Sequence, residues 1–401
     1  MTLDSWLAVC GLLGLLAMLG SSAIRHLPLT GPLVALVVGT LLGPHVLGLL
    51  DVEHELTLLH GGSEVLLAIS LVAVALRYPI TEVRAVVAPS ALLATLGMVA
   101  TAALGALVSW WILDLPVDLA VLLGAVLAPT DPVLASSVIT GRPAEEALPS
   151  RLRRTLSTES GANDGLGWPT VVVGIALVAG RGAGATALEV VLGVLGAVVA
   201  GVVVGWMAGR AVRRLDQHRG LEPSALFVAT LALAVAVLGL VNLAGGDGVL
   251  AVFAAGLAYN AGAGETTVAE ERQVEEGVNR LLVLPLFVLV GVVLPWDLWA
   301  EHVAQLAAFV VVVLVVRRLP VVLALRRWTR FGLLDTVFLG WFGPVGVASV
   351  FYLAMVRADG IEDSTLWAAG TLTIAVSTLV YGVTAVPGRV LYQRRARRPP
   401  D

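Results

Sequence analysis

The sequence predicts an all-α polytopic membrane protein with about 13 transmembrane helices. Of its 401 residues, 58% are hydrophobic and 13% are charged, and the mean hydropathy is +0.92. Soluble domains average about 45–50% apolar and about 25% charged residues. The apolar stretches follow one another at about the 20-residue length that crosses a bilayer as a helix. A basic, aromatic-bearing module for nucleic acid is absent from the sequence, so no nucleic-acid partner is expected.

Apolar runs between glycines, prolines and charges define the individual spans. In chain order they cover residues 5–24, 31–49, 61–77, 86–112, 117–139, 154–179, 185–208, 223–244, 247–262, 278–294, 299–325, 331–356 and 364–390. The first carries Asp4 and has no basic segment ahead of it, so it is interpreted as a span and not as a cleaved signal peptide. We expect a single transmembrane domain over residues 1–401.

The arginines predict how the spans are oriented, because basic residues accumulate in cytoplasmic loops. With the N-terminus outside, 21 of the 25 basic residues fall in inward loops or the tail, and only Arg181 and Arg357 fall in outward loops. An error of one span in the middle of the chain would destroy this asymmetry. The sequence therefore predicts a multi-pass protein of the inner (plasma) membrane with a cytoplasmic C-terminus.

An odd number of spans allows two inverted six-helix repeats joined by one extra helix, as in inverted-repeat transporters. Spans one to six and eight to thirteen would be the repeats. No sequence repeat is visible, so this symmetry depends on the span count and on two spans that should be broken.

The fifth span contains the first predicted break, at Pro129-Thr130-Asp131-Pro132. Each proline removes a backbone donor and disfavours helix in the residue before it. Free carbonyls and helix ends would then lie beside a carboxylate at mid-membrane, which is how discontinuous helices form cation sites. The alternative is a simple kink with Asp131 at the water interface.

The twelfth span contains the second predicted break, at Gly343-Pro344-Val345-Gly346. It occupies the same place in the second repeat as the fifth span does in the first, counting back from the last helix. Two crossing discontinuous helices around a carboxylate are therefore expected, with a glycine-rich packing face as the alternative.

The sixth span opens with a polar face formed by Glu159, Ser160, Asn163 and Asp164. Residues four apart stack on one side of a helix, so two carboxylates, a hydroxyl and an amide share that side. Oxygen ligands of this kind suit a small hard cation. The alternative is an exposed amphipathic entrance next to the preceding arginines.

The eleventh span carries two arginines, Arg317 and Arg318, inside an apolar stretch. Buried guanidinium groups need carboxylate or carbonyl partners, and Glu159 is the partner we expect for Arg317. The alternative is that both side chains reach the cytoplasmic interface. A single cysteine and six scattered histidines give no metal-ligand spacing, so neither an enzyme nor a resident cofactor is expected.

With Thr130-Asp131-Pro132 and Glu159-Ser160-x-x-Asn163-Asp164 in consecutive spans, the chain resembles the sodium/proton antiporters of the monovalent cation/proton antiporter superfamily, in the branch with Asn-Asp in the sixth helix. The resemblance covers essentially all 401 residues. It implies that Asp164, Thr130 and Asp131 line the ion site, that Glu159 and Ser160 contribute, and that Asn163 stabilises the helix crossing. It also implies that a basic residue of the eleventh span pairs with the glutamate, either Arg317 with Val321 or Arg318 with Val322.

The resemblance implies electroneutral exchange of Na+ or Li+ for H+ by alternating access, a role in pH homeostasis, and a homodimer in the lipid bilayer. Core ion-site helices would cover about residues 117–179 and 299–356. A potassium/proton exchanger of the same fold stays open. A channel would need a filter motif, and a sensor would not need carboxylates on two broken helices. Val345 stands where relatives often carry arginine, which leaves the local charge balance and the ion preference open.

Overall fold

The computed structural model describes Gly11 and residues 30–52, 54–220, 222–264 and 283–396, and this part of the chain is helical without strands. The helices are α1 (Gly31–Leu42), α2 (Glu55–Leu76), α3 (Ile80–Leu113), α4 (Val117–Val126), α5 (Pro132–Ile139), α6 (Arg142–Ala147), α7 (Ser150–Val178), α8 (Ala183–Arg219), α9 (Pro223–Leu243), α10 (Gly248–Ala263), α11 (Val283–Val292), α12 (Trp296–Glu301), α13 (Val303–Val316), α14 (Leu319–Ala324), α15 (Arg326–Thr329), α16 (Leu333–Trp341), α17 (Val347–Ala358) and α18 (Ser364–Ala396).

Twelve of the thirteen predicted spans coincide with one or more helices. The first, 5–24, lies outside the described residues except for Gly11, and Arg25, Arg272, Arg280, Arg397 and Arg398 of the orientation argument also lie outside them. Within the described residues, six helices are long and apolar enough to cross a membrane. Shorter apolar helices, including α4, α10 and α17, complete the bundle.

Both predicted breaks are confirmed. The fifth span is divided into α4 and α5 by non-helical residues 127–131, and the twelfth into α16 and α17 by residues 342–346. Proline and glycine explain both, because they remove backbone donors or weaken the helix. A third interruption, at Arg317 and Arg318 between α13 and α14, was not predicted. Pro320, near the start of α14, supplies the same local reason.

Several helices extend beyond their predicted ends, among them three that carry arginines. Helix α7 begins at Ser150, so Arg151, Arg153 and Arg154 lie in its first turns and not in the preceding loop. Helices α8 and α18 likewise continue through arginine-containing segments to Arg219 and Ala396. Arginine is a good helix former, so a helix does not stop where its hydrophobicity stops.

Small residues allow the close packing of α8 against α10. A Cβ atom added at Gly201 would lie 2.2 Å from the Ala251 carbonyl oxygen, and one at Gly205 would lie 2.1 Å from that of Ala255. Such contacts are typical of membrane helices, whose association depends on backbone proximity and not on hydrophobicity. In the same way, glycines of α7 seat that helix against α10, which fixes the depth of the polar face.

The arginine-rich segments meet on one side of the bundle. Arg151 donates hydrogen bonds to the carbonyl oxygens of Thr329 (2.8 Å) and Arg330 (3.0 Å), and Arg154 pairs with Glu82 at 2.8 Å. On the opposite side, the Trp299 indole donates to the Ala368 carbonyl oxygen at 3.1 Å. Segments that the arginine pattern places on one face are thus in contact with one another.

Candidate cation site at the crossing of two broken helices

The two chain breaks cross at Asp131, which caps the helices that follow both of them. The Asp131 backbone N–H donates to the Pro344 carbonyl oxygen at 2.8 Å. One carboxylate oxygen accepts from the backbone N–H groups of Val133 (2.6 Å) and Leu134 (2.9 Å) in α5, and the other accepts from Val347 (2.5 Å) in α17. Helix N-termini expose unpaired N–H groups and partial positive charge. One buried carboxylate therefore neutralises two helix ends.

Gly346 makes this double cap possible. A Cβ atom at that position would lie 2.1 Å from the Asp131 carboxylate, which no side chain could tolerate. Pro132 is the first residue of α5, where a missing N–H has no cost, and Pro129 lies in the non-helical segment. The prolines and glycines singled out in the sequence thus shape the crossing.

Arg317 donates hydrogen bonds at the C-terminal ends of the two helices that precede the breaks. Its guanidinium donates to the carbonyl oxygens of Leu127 (2.6 Å) and Ala128 (3.3 Å), where α4 has ended, and to that of Gly343 (2.5 Å), beyond the end of α16. Helix C-termini expose unpaired carbonyl groups and partial negative charge. Arg317 is 1% exposed, so the alternative of an interfacial arginine is excluded. Arg317 also places a positive charge beside the second break, where position 345 carries valine and not arginine.

Glu159 pairs with Arg318, not with Arg317 as first expected. The two Nη atoms of Arg318 each lie 2.9 Å from one carboxylate oxygen of Glu159, and its Nε donates to the Leu339 carbonyl oxygen at 3.2 Å. A Cβ atom at Gly343 would lie 2.3 Å from that Nε. The unpredicted break between α13 and α14 gives the adjacent arginines separate partners. The pairing of Arg318 agrees with the second of the two motif alignments that the sequence allowed.

A hydrogen-bonded cluster joins the first break to α7. The Asn163 side chain accepts from the Thr130 backbone N–H (3.1 Å) and donates to the Thr130 hydroxyl (2.8 Å) and to Glu159 (2.8 Å). The hydroxyl groups of Thr130 and Ser160 lie 3.0 Å apart. All four side chains are buried, which excludes the alternative of an exposed entrance. These contacts join the first break to the polar face of α7, which also carries Asp164.

Asp164 differs from every other charged group at the crossing. It is 0% exposed, yet neither carboxylate oxygen has a hydrogen-bond partner among the described residues. The negative charges of Asp131 and Glu159 act on it from nearby. An unpaired buried carboxylate is strongly unfavourable unless it binds a cation or a proton. Of the three buried carboxylates here, Asp131 is capped, Glu159 is paired, and Asp164 is left for a ligand.

Two further side chains were not singled out in the sequence. The Tyr352 hydroxyl of α17 donates to the Asp164 carbonyl oxygen. Asp247, the first residue of the predicted span 247–262, is 2% exposed, and its carboxylate caps α10 by accepting from the Leu250 backbone N–H at 3.1 Å. A tyrosine in an apolar helix is a usable signal, because a buried tyrosine hydroxyl needs a partner. The burial of Asp247 has no local signal, since it comes from packing between distant helices.

Several known proteins are similar to this chain. A Na(+)/H(+) antiporter 2 of Zygosaccharomyces rouxii is 30% identical over 60% of this chain and 31% of its own length. A K(+)/H(+) antiporter NhaP of Alkalimonas amylolytica is 30% identical over 87% of this chain and 60% of its own length. The chain therefore spans less than two thirds of these relatives. The sodium proton antiporter MjNhaP1 from Methanocaldococcus jannaschii has the same fold, with a TM-score of 0.81 at 19% identity over the full length of both chains.

The family model for the transmembrane region of sodium/hydrogen exchangers matches residues 12–388. That range contains both broken helices, both buried arginines and the unpaired Asp164. The chain is an integral membrane protein that belongs to the sodium/hydrogen exchanger family.

Proposed function

We propose that this protein is a secondary active transporter that exchanges Na+ or Li+ for H+ by alternating access. The observation that carries the proposal is Asp164, a fully buried carboxylate without a hydrogen-bond partner in the described residues, beside two broken helices. A partly dehydrated cation and a proton each neutralise this charge, so they compete for it. Competition at a site that opens alternately to either side produces exchange.

Each neighbouring side chain has a role in this proposal. Asp164 binds the cation or the proton, and the hydroxyl oxygens of Thr130 and Ser160 complete the oxygen ligands that a hard cation prefers. Asn163 holds Thr130 in place. Glu159 was expected among the ligands. Both of its oxygens already accept from Arg318, so in this proposal it contributes to cation binding only through its remaining lone pairs.

Asp131 was also expected as a ligand, and its contacts favour positioning. Its carboxylate already accepts three backbone hydrogen bonds, so direct binding to the cation would compete with the capping of α5 or α17. Arg317 has the equivalent positioning role for the carbonyl ends of α4 and α16.

Potassium/proton exchange is the second candidate. It is favoured by the relatives that match the larger share of this chain, since proteins named K(+)/H(+) antiporters cover 87% of it in Alkalimonas amylolytica and 96% in a Shewanella species. The relative from Zygosaccharomyces rouxii that is named a Na(+)/H(+) antiporter covers 60%. The oxygen set at Asp164 fits either ion by chemistry alone.

Dissipation of a preset pH gradient in proteoliposomes separates the candidates. Addition of Na+ or Li+ should collapse the gradient, whereas choline should not. A response to K+ alone would select the second candidate. No response to any of the three alkali cations, from protein that is folded and inserted, would refute the proposed function.

Orientation and assembly belong to the same proposal. The contacts between arginine-rich segments support placing them together on the cytoplasmic face of the plasma membrane, with the C-terminus inside. The core helices, about residues 117–179 and 299–356, would move against the remaining helices in a homodimer. The apolar side chains exposed along α8, among them Leu188, Leu192, Leu195 and Val199, support a lipid or subunit contact there.

A further inference from the structure

A second buried carboxylate, Asp247, lies close to the candidate cation site but outside it. It caps α10 with one oxygen, which accepts from the Leu250 backbone N–H at 3.1 Å. Its other oxygen is buried and has no hydrogen-bond partner among the described residues. The residue is 2% exposed. A helix cap requires only one of the two oxygens, so the cap does not explain why the second one is buried.

Glu64 of α2 is the charged neighbour of Asp247. Its carboxylate accepts from the Asn242 side-chain amide at 2.6 Å, and the oxygen of the same amide accepts from the Gly248 backbone N–H at 3.1 Å. Asn242 thus ties Glu64 to the first residue of α10, directly after Asp247. The Glu64 carboxylate is close enough to act on the charge of Asp247. Asp247 is buried and Glu64 is partly exposed, and two neighbouring carboxylates repel each other, which favours binding of a proton to one of them.

Packing of α7 against α10 gives the offset of Asp247 from Asp164 along the helix axis. A Cβ atom at Gly161 would lie 2.7 Å from the Phe253 ring, and one at Gly165 would lie 2.8 Å from the Leu250 Cα atom. The two helices are therefore antiparallel, with Asp164 level with Leu250. Asp247 precedes Leu250 by three residues, or about 4.5 Å along the helix axis. It lies on the side away from the arginine-rich segments.

Few other charged groups surround Asp247 in the elements packed against α10. Helix α7 has no charged residue after Asp164, and α8 presents Ala197 and Gly201 at this level, with Glu189 about two turns away. Helix α2 adds His60, one turn from Glu64. From α17, Tyr352 lies within electrostatic range of both Asp247 and Asp164, and its hydroxyl bonds the latter's carbonyl oxygen. Tyr352 therefore lies between Asp247 and the candidate cation site at Asp164.

We propose that Asp247 and Glu64 form a second, proton-binding site on the route between Asp164 and the membrane face opposite the arginine-rich segments. A proton from that face binds at the Asp247 oxygen that has no hydrogen-bond partner, and it then passes to Asp164 or returns to water. The negative charge of Glu64 favours positive charge at Asp247. The route has meaning only if the proposed exchange function holds, whereas the proton-binding site itself does not depend on it.

Asp247→Asn tests the site, with Asp363→Asn as the matched control. Asparagine is as good an N-cap as aspartate, so the bond to Leu250 is preserved. Asp363 makes the same cap at the start of α18, accepting from the Leu366 N–H at 2.7 Å, and the arginine pattern places it on the same face. Infrared difference spectra of the full chain in lipid across a pH titration should lose the band of a buried carboxyl in Asp247→Asn, whereas Asp363→Asn should lose only the band of a partly exposed carboxyl.

Vesicles of known orientation supply the second measurement. With the pH fixed on the arginine-rich side, Asp247→Asn should move the half-maximal pH of exchange on the opposite side by about one unit, a tenfold change in proton affinity. Identical infrared titrations and identical pH dependence for Asp247→Asn and Asp363→Asn would overturn the proposal. If Asp247→Asn does not fold, Glu64→Gln replaces it. Removal of the neighbouring negative charge should move the Asp247 band to lower pH, and an unmoved band would overturn the proposal equally.

The infrared measurement distinguishes the two proposals. A wild-type protein that exchanges no alkali cation, yet shows the Asp247 band, would refute the proposed function and keep the proton-binding site. A protein that exchanges normally but lacks the band would keep the proposed function and refute the proton-binding site.

Discussion

Asp131 and Asp164 are chemically identical carboxylates, both buried at the helix crossing, and they have opposite surroundings. Asp131 accepts three backbone hydrogen bonds from two helix ends, whereas Asp164 accepts none from the described residues. A satisfied buried charge stabilises the structure around it, and an unsatisfied one stays available to a ligand. The number of donors around each carboxylate, and not residue type or depth, separates the positioning group from the binding group.

The two arginines show the same division between positioning and pairing. Arg317 donates only to backbone carbonyls at the helix ends, while Arg318 neutralises Glu159. Together with Asp131, they leave Asp164 as the unpaired charge at the crossing among the residues that the structure describes. Each variant below changes either a satisfied group or the unsatisfied one.

Asp164→Asn should have the largest effect on transport and little effect on stability. It removes the only unpaired carboxylate described at the crossing while preserving its shape, so cation-driven proton movement should fall to the protein-free background in proteoliposomes. The melting temperature should be unchanged or higher, because a buried unpaired charge has been removed. Exchange above a few per cent of wild type would remove Asp164 from the mechanism.

The Glu159–Arg318 pair should show the largest coupling in stability. Removing one partner leaves the other charge buried, at about 3–5 kcal/mol, whereas removing both does not. Unfolding free energies of Glu159→Gln, Arg318→Gln and the double variant should therefore be far from additive.

The adjacent arginine is the matched control for this cycle. Glu159→Gln combined with Arg317→Gln should be much closer to additive, because Arg317 donates to backbone carbonyls and not to Glu159. Equal coupling for both arginines would mean that the pairing in the structure is wrong.

Asp131→Asn should destabilise the protein by about 1–3 kcal/mol, the usual effect of an unsatisfied buried hydrogen-bond donor. The asparagine amide offers one acceptor oxygen where the carboxylate offers two, so the N-terminus of α5 or α17 loses its partner. Exchange should be sharply impaired because the breaks no longer hold their geometry. Wild-type melting and wild-type exchange together would contradict the capping role.

Local sequence was sufficient to predict the breaks and the polar face, since the signals are short-range. Pro129, Pro132 and Pro344 interrupt the helices of their own spans, and the spacing of Glu159 and Asn163 places them on one face. The partner of each arginine could not be predicted in the same way. Arg317 and Arg318 are neighbours in the chain, and the unpredicted break between α13 and α14 decides where each guanidinium points.

Tyr352 and Asp247 were also missed, because their surroundings depend on helix packing that the local sequence does not show. Asp247 follows two glycines at the end of an apolar run, a pattern typical of an interfacial loop. Its charged neighbour Glu64 lies on α2, which comes from a distant part of the chain. Span counting predicts which helices exist and their depth, but not which loop residues neighbouring helices cover.

Electroneutral exchange is the prediction with the smallest expected effect, namely none. With Asp131 capped and Glu159 paired, the proposed mechanism leaves only Asp164 at the crossing to exchange one monovalent cation for one proton. A membrane potential of about 100 mV is worth about 2.3 kcal/mol per net charge, so a cycle that moves one charge would shift the equilibrium cation gradient about 50-fold. We expect no shift when the potential is imposed on proteoliposomes at equilibrium. A shift of that size would mean that a second carboxylate carries an additional proton or cation in each cycle, and a matching loss of the shift in Asp131→Asn or in Asp247→Asn would identify which one.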